Sequence, residues 1–212
     1  MNIALIGASG FIGSVLLKEA VSRQHQVTAF VSHPEKISAT IQVAVQATDV
    51  QNLPQLTEQL QGFDAVITAF SGHANEDVVG YYVSGIKNII QAAKNTNAMR
   101  LLVVGGAGSL EVAPGMQVMD QPGFPDAYRA SAEGARQALS LLREETSLNW
   151  TMLCPSGMIE PGQRTNQFRL GKDQLLIASD GKSHISVEDY ALAMINELEQ
   201  PAHAYQRFTV GY

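Results

Sequence analysis

Six short apolar runs, at residues 2–6, 26–31, 41–44, 65–70, 100–104 and 150–154, recur along the first three quarters of this chain. Runs with little polar alternation suit strands buried on both faces. Between them the apolar spacing changes to that of a helix. Ile12, Val15, Leu16 and Ala20 mark one over residues 11–23, and Val83, Ile86, Ile90 and Ala93 mark another over 79–95. Shorter or later helices are expected over 53–60, opened by Pro54, and over 127–145. Strands that alternate with helices build a parallel sheet covered on both sides, and right-handed crossovers make it doubly wound. The expected fold class is therefore α/β with a doubly wound parallel sheet, as one domain over residues 1–212.

The last third reads differently. Residues 174–178 and 183–187 suggest a hairpin around Asp180-Gly181, followed by a helix over 188–198 and a strand over 207–212. Residues 155–212 are thus expected to form, in part, a small appendage on the substrate side. Segments 107–126 and 155–171 are too long for ordinary connections. Both follow the carboxyl ends of expected strands, where open α/β sheets hold their ligands, so both are candidate substrate-covering loops.

Composition narrows the classes of function. The net charge of -6 and the lack of a Lys/Arg cluster argue against nucleic acid. The single cysteine, Cys154, lies in an apolar run and reads as a buried, inert thiol. His25, His33, His73, His184 and His203 show no ligand spacing, so no metal is expected. No G-x-S-x-G elbow occurs. With no leader or membrane span in view, the expectation is a cytoplasmic monomer or homodimer without a membrane partner.

The glycine turn between the first strand and the first helix carries the chemistry. It runs Gly7, Ala8, Ser9, Gly10, Phe11, Ile12, Gly13, a G-x-x-G-x-x-G spacing. The first glycine permits a sharp turn, the second admits a pyrophosphate to the backbone, and the third brings the helix close to the strand. Free N–H groups at the helix start favour an anion. A dinucleotide is the expected ligand. NAD-specific sites place a carboxylate at the end of the second strand. Here that position offers Ser32, His33 and nearby Lys36, which could donate to a 2′-phosphate, and the reading is NADP(H) over NAD(H). Thr48, Asp49 and Val50 follow the third strand, where Asp49 could accept a bond from adenine. Ala69, Phe70, Ser71 and Gly72 follow the fourth strand, along the ribose and nicotinamide path. Gly105 and Gly106, then Pro155, Ser156, Gly157 and Met158, complete the expected cofactor edge.

The glycine turn, His33-Pro34-Glu35-Lys36-Ile37 and Val103-Val104-Gly105-Gly106-Ala107-Gly108-Ser109-Leu110 resemble the atypical short-chain dehydrogenases. Within them the chain is similar to the NADH-flavin reductase group, related to biliverdin reductase B and to NAD(P)H quinone reductases. Glu160-Pro161-Gly162-Gln163-Arg164-Thr165, Ile185-Ser186-Val187-Glu188-Asp189-Tyr190-Ala191 and Arg207-Phe208-Thr209-Val210-Gly211-Tyr212 extend the resemblance over the whole chain. It implies an NAD(P)-binding Rossmann fold and an oxidoreductase passing hydride to a flavin or quinone. The flavin would be a substrate rather than a bound cofactor. Relatives often carry arginine where Ser32 stands.

Short-chain dehydrogenases acting on alcohols use Tyr-x-x-x-Lys, the lysine lowering the tyrosine pKa. Here Tyr128 is followed four residues on by Ala132. Tyr128 and Ser109 are the candidate catalytic groups. Ser186 with Asp189 reads as a helix cap, and Arg164 and Arg169 as contacts for an anionic acceptor or as solvated loop charges. A flavin or quinone is itself reactive toward hydride, so placing it against the nicotinamide supplies most of the catalysis. Two other readings fit a dinucleotide domain: a non-catalytic redox sensor, and an epimerase or dehydratase.

Overall fold

A computed structural model describes residues 1–73, 75–96, 98 and 100–212. Its first half alternates strand and helix: β1 (Asn2–Ile6), α1 (Phe11–Ser22), β2 (Gln26–Val31), β3 (Val43–Ala47), α2 (Leu53–Gln59), β4 (Ala65–Thr68) and α3 (Val78–Asn95). Then come β5 (Arg100–Val104), a short ribbon of β6 (Glu111–Ala113) and β7 (Met116–Gln117), α4 (Asp126–Glu144) and β8 (Trp150–Pro155). The last part holds β9 (Met158–Glu160), β10 (Arg169–Gly171), β11 (His184–Ser186), α5 (Val187–Glu199) and β12 (Gln206–Gly211).

The main sheet has the order β10-β12-β8-β5-β4-β1-β2-β3. All neighbours pair in parallel except β10, which runs antiparallel to β12. Side chains alternate between two cores, as the pleat requires. Ile3 and Leu5 pack with Leu16 and Ala20 of α1 and with Tyr190, Met194 and Ile195 of α5. Ala4 and Ile6 face the other way, into Leu56 of α2, Ile86 and Ile89 of α3, and Leu139 and Leu142 of α4. Each large side chain buried this way contributes about 2 kcal/mol, so both layers pin the sheet between them. The arrangement is a Rossmann-type α/β fold. Among the described residues no helix is long and apolar enough to cross a membrane.

Most elements fall where the residue pattern puts them, with three corrections. The third strand is Val43–Ala47 rather than 41–44, because Ile41 is 96% exposed and lies outside the pairing with β2. The fourth strand stops at Thr68, and Ala69 and Phe70 already belong to the edge above it. The expected hairpin does not form. Its turn exists, with Gly181 at φ 81° and the Ala178 N–H bonded to the Lys182 carbonyl. Its second arm, however, pairs in parallel with β9, and its first arm joins Glu111 through Glu111 N–H to Asp173 O and Leu175 N–H to Glu111 O. The sheet also absorbs β12 between β8 and β10, so the chain's end is part of the main sheet.

Candidate dinucleotide site

β1 ends in a turn whose three glycines have different reasons to be there. Gly7 has φ 80°, a left-handed value, and a Cβ there would sit 2.7 Å from the Ala69 carbonyl oxygen. At Gly13 a Cβ would lie 2.1 Å from the Gly7 oxygen, so α1 could not pack this close. Gly10 is under neither constraint. Its φ of -78° suits any residue, and an added Cβ would meet only the Gly7 oxygen at 3.4 Å. Nothing inside the chain requires a glycine at this point, whereas a ligand approaching the backbone does.

The start of α1 is prepared for an anion. Gly10 supplies no side-chain cap, and no acid stands in the first turn. By contrast Asn52 accepts from Gln55 N–H at the head of α2, Asp77 from Gly80 N–H at α3, and Ser186 from Asp189 N–H at α5. α4 lacks such a cap but carries Asp126 in its first turn. Among the described residues, α1 is the helix whose opening N–H groups meet neither a side-chain acceptor nor a nearby carboxylate. The positive end of its dipole is therefore left for a ligand phosphate. The residues present fit a dinucleotide.

Parallel strands bring the other expected residues to the same edge. After β2, Ser32, His33 and Lys36 are exposed, and His33 Nδ1 lies 3.3 Å from Glu35. After β3, the Thr48 hydroxyl is bonded to Gln59, exposed Asp49 accepts the Gln51 N–H at 2.9 Å, and Val50 is buried. Beyond β4, Phe70 stacks on Tyr82 with ring centroids 5.8 Å apart, and Ser71 is exposed beside buried Gly72. Gly105 donates to the Leu153 carbonyl at 2.8 Å, which holds the ends of β5 and β8 together, with Gly106 next to it. Pro155 and Ser156 are buried, and the Ser156 hydroxyl donates to Val210. Gly157 N–H bonds Ser183, and Met158 is half-exposed.

The two candidate catalytic side chains have unlike settings. Tyr128 is 63% exposed on the first turn of α4. Ala132, four residues on, is buried against Gly108, where an added Cβ would come within 2.6 Å of the Ala132 methyl group. The place a lysine would need is filled by the loop after β5. Ser109 is 2% exposed, and its hydroxyl accepts a bond from Arg207 at 3.1 Å, which ties it into a packed ion cluster. Cys154 is fully buried, and burial pushes its thiol up to about 11.

Three networks around the site escape a linear reading. Arg207 of β12 bonds the Ser109 carbonyl at 2.9 Å and the Asp173 carboxylate at 3.0 Å, clipping together the segments that follow β5 and β10. Arg164 makes two 2.9 Å bonds to Glu19 of α1, 145 residues away. Burial alone would raise the Glu19 pKa, but Arg164 and Arg23 hold it below the usual carboxylate range. Asp189 does cap with Ser186, and its buried carboxylate also receives the Asn166 N–H at 2.9 Å and the Tyr212 hydroxyl at 2.7 Å. The one sequence signal for this network is the Ser186/Asp189 spacing; the Arg164–Glu19 and Arg207–Asp173 pairs join residues too far apart to leave any.

A Bacillus subtilis (strain 168) protein, the uncharacterized YwnB, is 40% identical over 99% of this chain and 98% of its own length. A Bacteroides thetaiotaomicron structure described as a candidate epimerase is 43% identical, with a TM-score of 0.93 over 100% of this chain and 96% of that one. A candidate NADH-flavin reductase from Streptococcus pneumoniae TIGR4 is 32% identical, with a TM-score of 0.88 over 100% and 99%. Residues 7–201 match the NAD(P)H-binding family, and the chain belongs to it.

Proposed function

We propose that this protein is an NAD(P)H-dependent reductase of a flavin or quinone acceptor, which binds as substrate. The observation that carries the reading is the uncapped, acid-free start of α1 beneath a glycine turn whose middle glycine has no internal cause. When bound, a reduced nicotinamide supplies a hydride to an acceptor stacked on it. Gly7–Gly13 and the N–H groups opening α1 would hold the pyrophosphate. Ser32, His33 and Lys36 would meet the adenosine ribose, favouring NADP(H), with Thr48, Asp49 and Val50 beside the adenine. Ala69–Gly72, Gly105, Gly106 and Pro155–Met158 would orient the nicotinamide end.

The chain's own part is to bind, orient and exclude water. Neither expected proton donor is equipped for more. Tyr128 has no lysine partner, and the Ser109 hydroxyl is engaged by Arg207. That supports an acceptor needing little acid-base help over the epimerase reading, which the Bacteroides relative's description alone favours. A redox sensor remains the competing class, to be told apart by turnover. The cell compartment in this reading is the cytoplasm, and the working unit a monomer or homodimer.

The test is steady-state oxidation of NADPH and NADH with FMN, FAD, riboflavin and a simple quinone. Turnover with at least one acceptor, faster with NADPH, is expected. Tight dinucleotide binding without turnover of any acceptor would instead identify a sensor.

A further inference from the structure

Granted the dinucleotide reading above, adenine would meet a loop whose shape is set from elsewhere in the fold. Exposed Asp49 is the carboxylate of that loop. One of its oxygens accepts the Gln51 N–H at 2.9 Å, and the other receives no bond among the described residues. The Asn52 N–H closes the turn on the Asp49 carbonyl at 3.0 Å. The direction of the Asp49 carboxylate therefore depends on where the backbone of Gln51 sits.

Gln51 is fixed by α3. Tyr81, Ser84, Gly85 and Asn88 recur at the spacing of one helical face. Asn88 Nδ2 donates to the Val50 carbonyl at 2.9 Å and to the Gln51 carbonyl at 3.2 Å. The Gln51 side chain is gripped at both ends. Its Nε2 donates to the Tyr81 carbonyl at 2.9 Å, and its Oε1 accepts the Ser84 hydroxyl at 2.7 Å. Gly85 lets the loop come this close, since a Cβ there would lie 3.1 Å from Val50 Cγ2 and 2.5 Å from the Phe70 ring. Ile86 and Ile89 of the same helix are buried in the core, which gives the loop a fixed base.

A polar contact selects its ligand only when the atom that makes it is held in place by its neighbours. We propose that Gln51, Ser84 and Asn88 are positioning residues that aim Asp49 at the 6-amino group of adenine. α3 thereby sets a preference for adenine over a base with oxygen at that position. Hypoxanthine presents a carbonyl there, which a carboxylate repels instead of binding.

NADPH and deamino-NADPH, which carries hypoxanthine in place of adenine, are the direct probes. Each is titrated calorimetrically into the parent, Asn88→Ala and Ser84→Ala. The parent is expected to bind NADPH about tenfold more tightly than deamino-NADPH, the lower range for a hydrogen bond to a charged group. Asn88→Ala should bring that ratio down to about twofold while leaving deamino-NADPH affinity nearly unchanged. Ser84 is exposed, so Ser84→Ala keeps the fold and should lower the ratio partway, even if Asn88→Ala proves unstable. A merely structural role would weaken both dinucleotides alike. Such equal weakening, a ratio unchanged in the folded variants, or a parent ratio near one overturns the proposal. The last of these still leaves dinucleotide binding standing, whereas a parent that binds neither compound removes that reading as well.

Discussion

At the scale of single residues, the glycine turn separates packing from binding. Gly13 is a packing residue, because the helix rests on the Gly7 carbonyl and leaves no room for a methyl group. Gly13→Ala should therefore lower unfolding free energy by about 3 kcal/mol, the upper range for overpacking, as α1 is forced off the sheet. Urea denaturation checks this, and an unchanged midpoint would mean that the close approach is not needed. The turn itself and the absent lysine were both legible in the sequence. That Ala132 is blocked by Gly108, and that Ser109 is tied up by Arg207, were not, since each contact depends on how a long loop folds back.

Among elements, the least legible features were those built on pairing across long separations. The Asp180-Gly181 turn follows from local chemistry, yet its flanks pair with β9 and with Glu111 rather than with each other. No periodicity records that choice. Ile41 misled the reading of β3 because a lone exposed isoleucine looks like a strand start. Helix ends were better marked, and the end of α4 carries a device of its own. Glu145 receives Lys94 Nζ at 2.8 Å, the Ser147 N–H at 2.6 Å and the Ser147 hydroxyl at 2.7 Å, joining α3 and α4 to the turn before β8.

Burial would raise the Glu145 pKa, but Lys94 and Ser147 together bring it down to about 2. A carboxylate with a depressed folded pKa stabilises fully above its ordinary value. That contribution fades as pH falls from about 4.5 toward about 2. Glu145→Gln should accordingly be less stable than the parent at pH 7 and lose less stability across that window. Denaturation midpoints for both proteins from pH 7 to pH 2.5 check this. Parallel curves over the whole range would show that the Lys94 and Ser147 contacts contribute nothing.

For the molecule as a whole, the alternation of apolar runs and helices was enough to give the class of fold and to point to the edge where such sheets hold ligands. It follows from elementary rules: parallel strands, right-handed crossovers, and helices on both faces. The candidate dinucleotide edge is local, built from turns that follow strands, so its residues can be named from the sequence. The segments after β5 and β10 are clipped together by Arg207, and no short motif describes that contact.

The proposed role of the turn at Gly7–Gly13 is to bind a dinucleotide, with Gly10 there for the ligand. Calorimetric titration of NADPH into the parent protein and into Gly10→Leu tests it most directly. The φ of -78° accommodates leucine, so the variant should fold with a nearly unchanged melting temperature. Its side chain would occupy the path of the pyrophosphate, and affinity should fall by at least about a hundredfold, roughly 3 kcal/mol. A folded Gly10→Leu protein that binds NADPH as tightly as the parent would contradict the account.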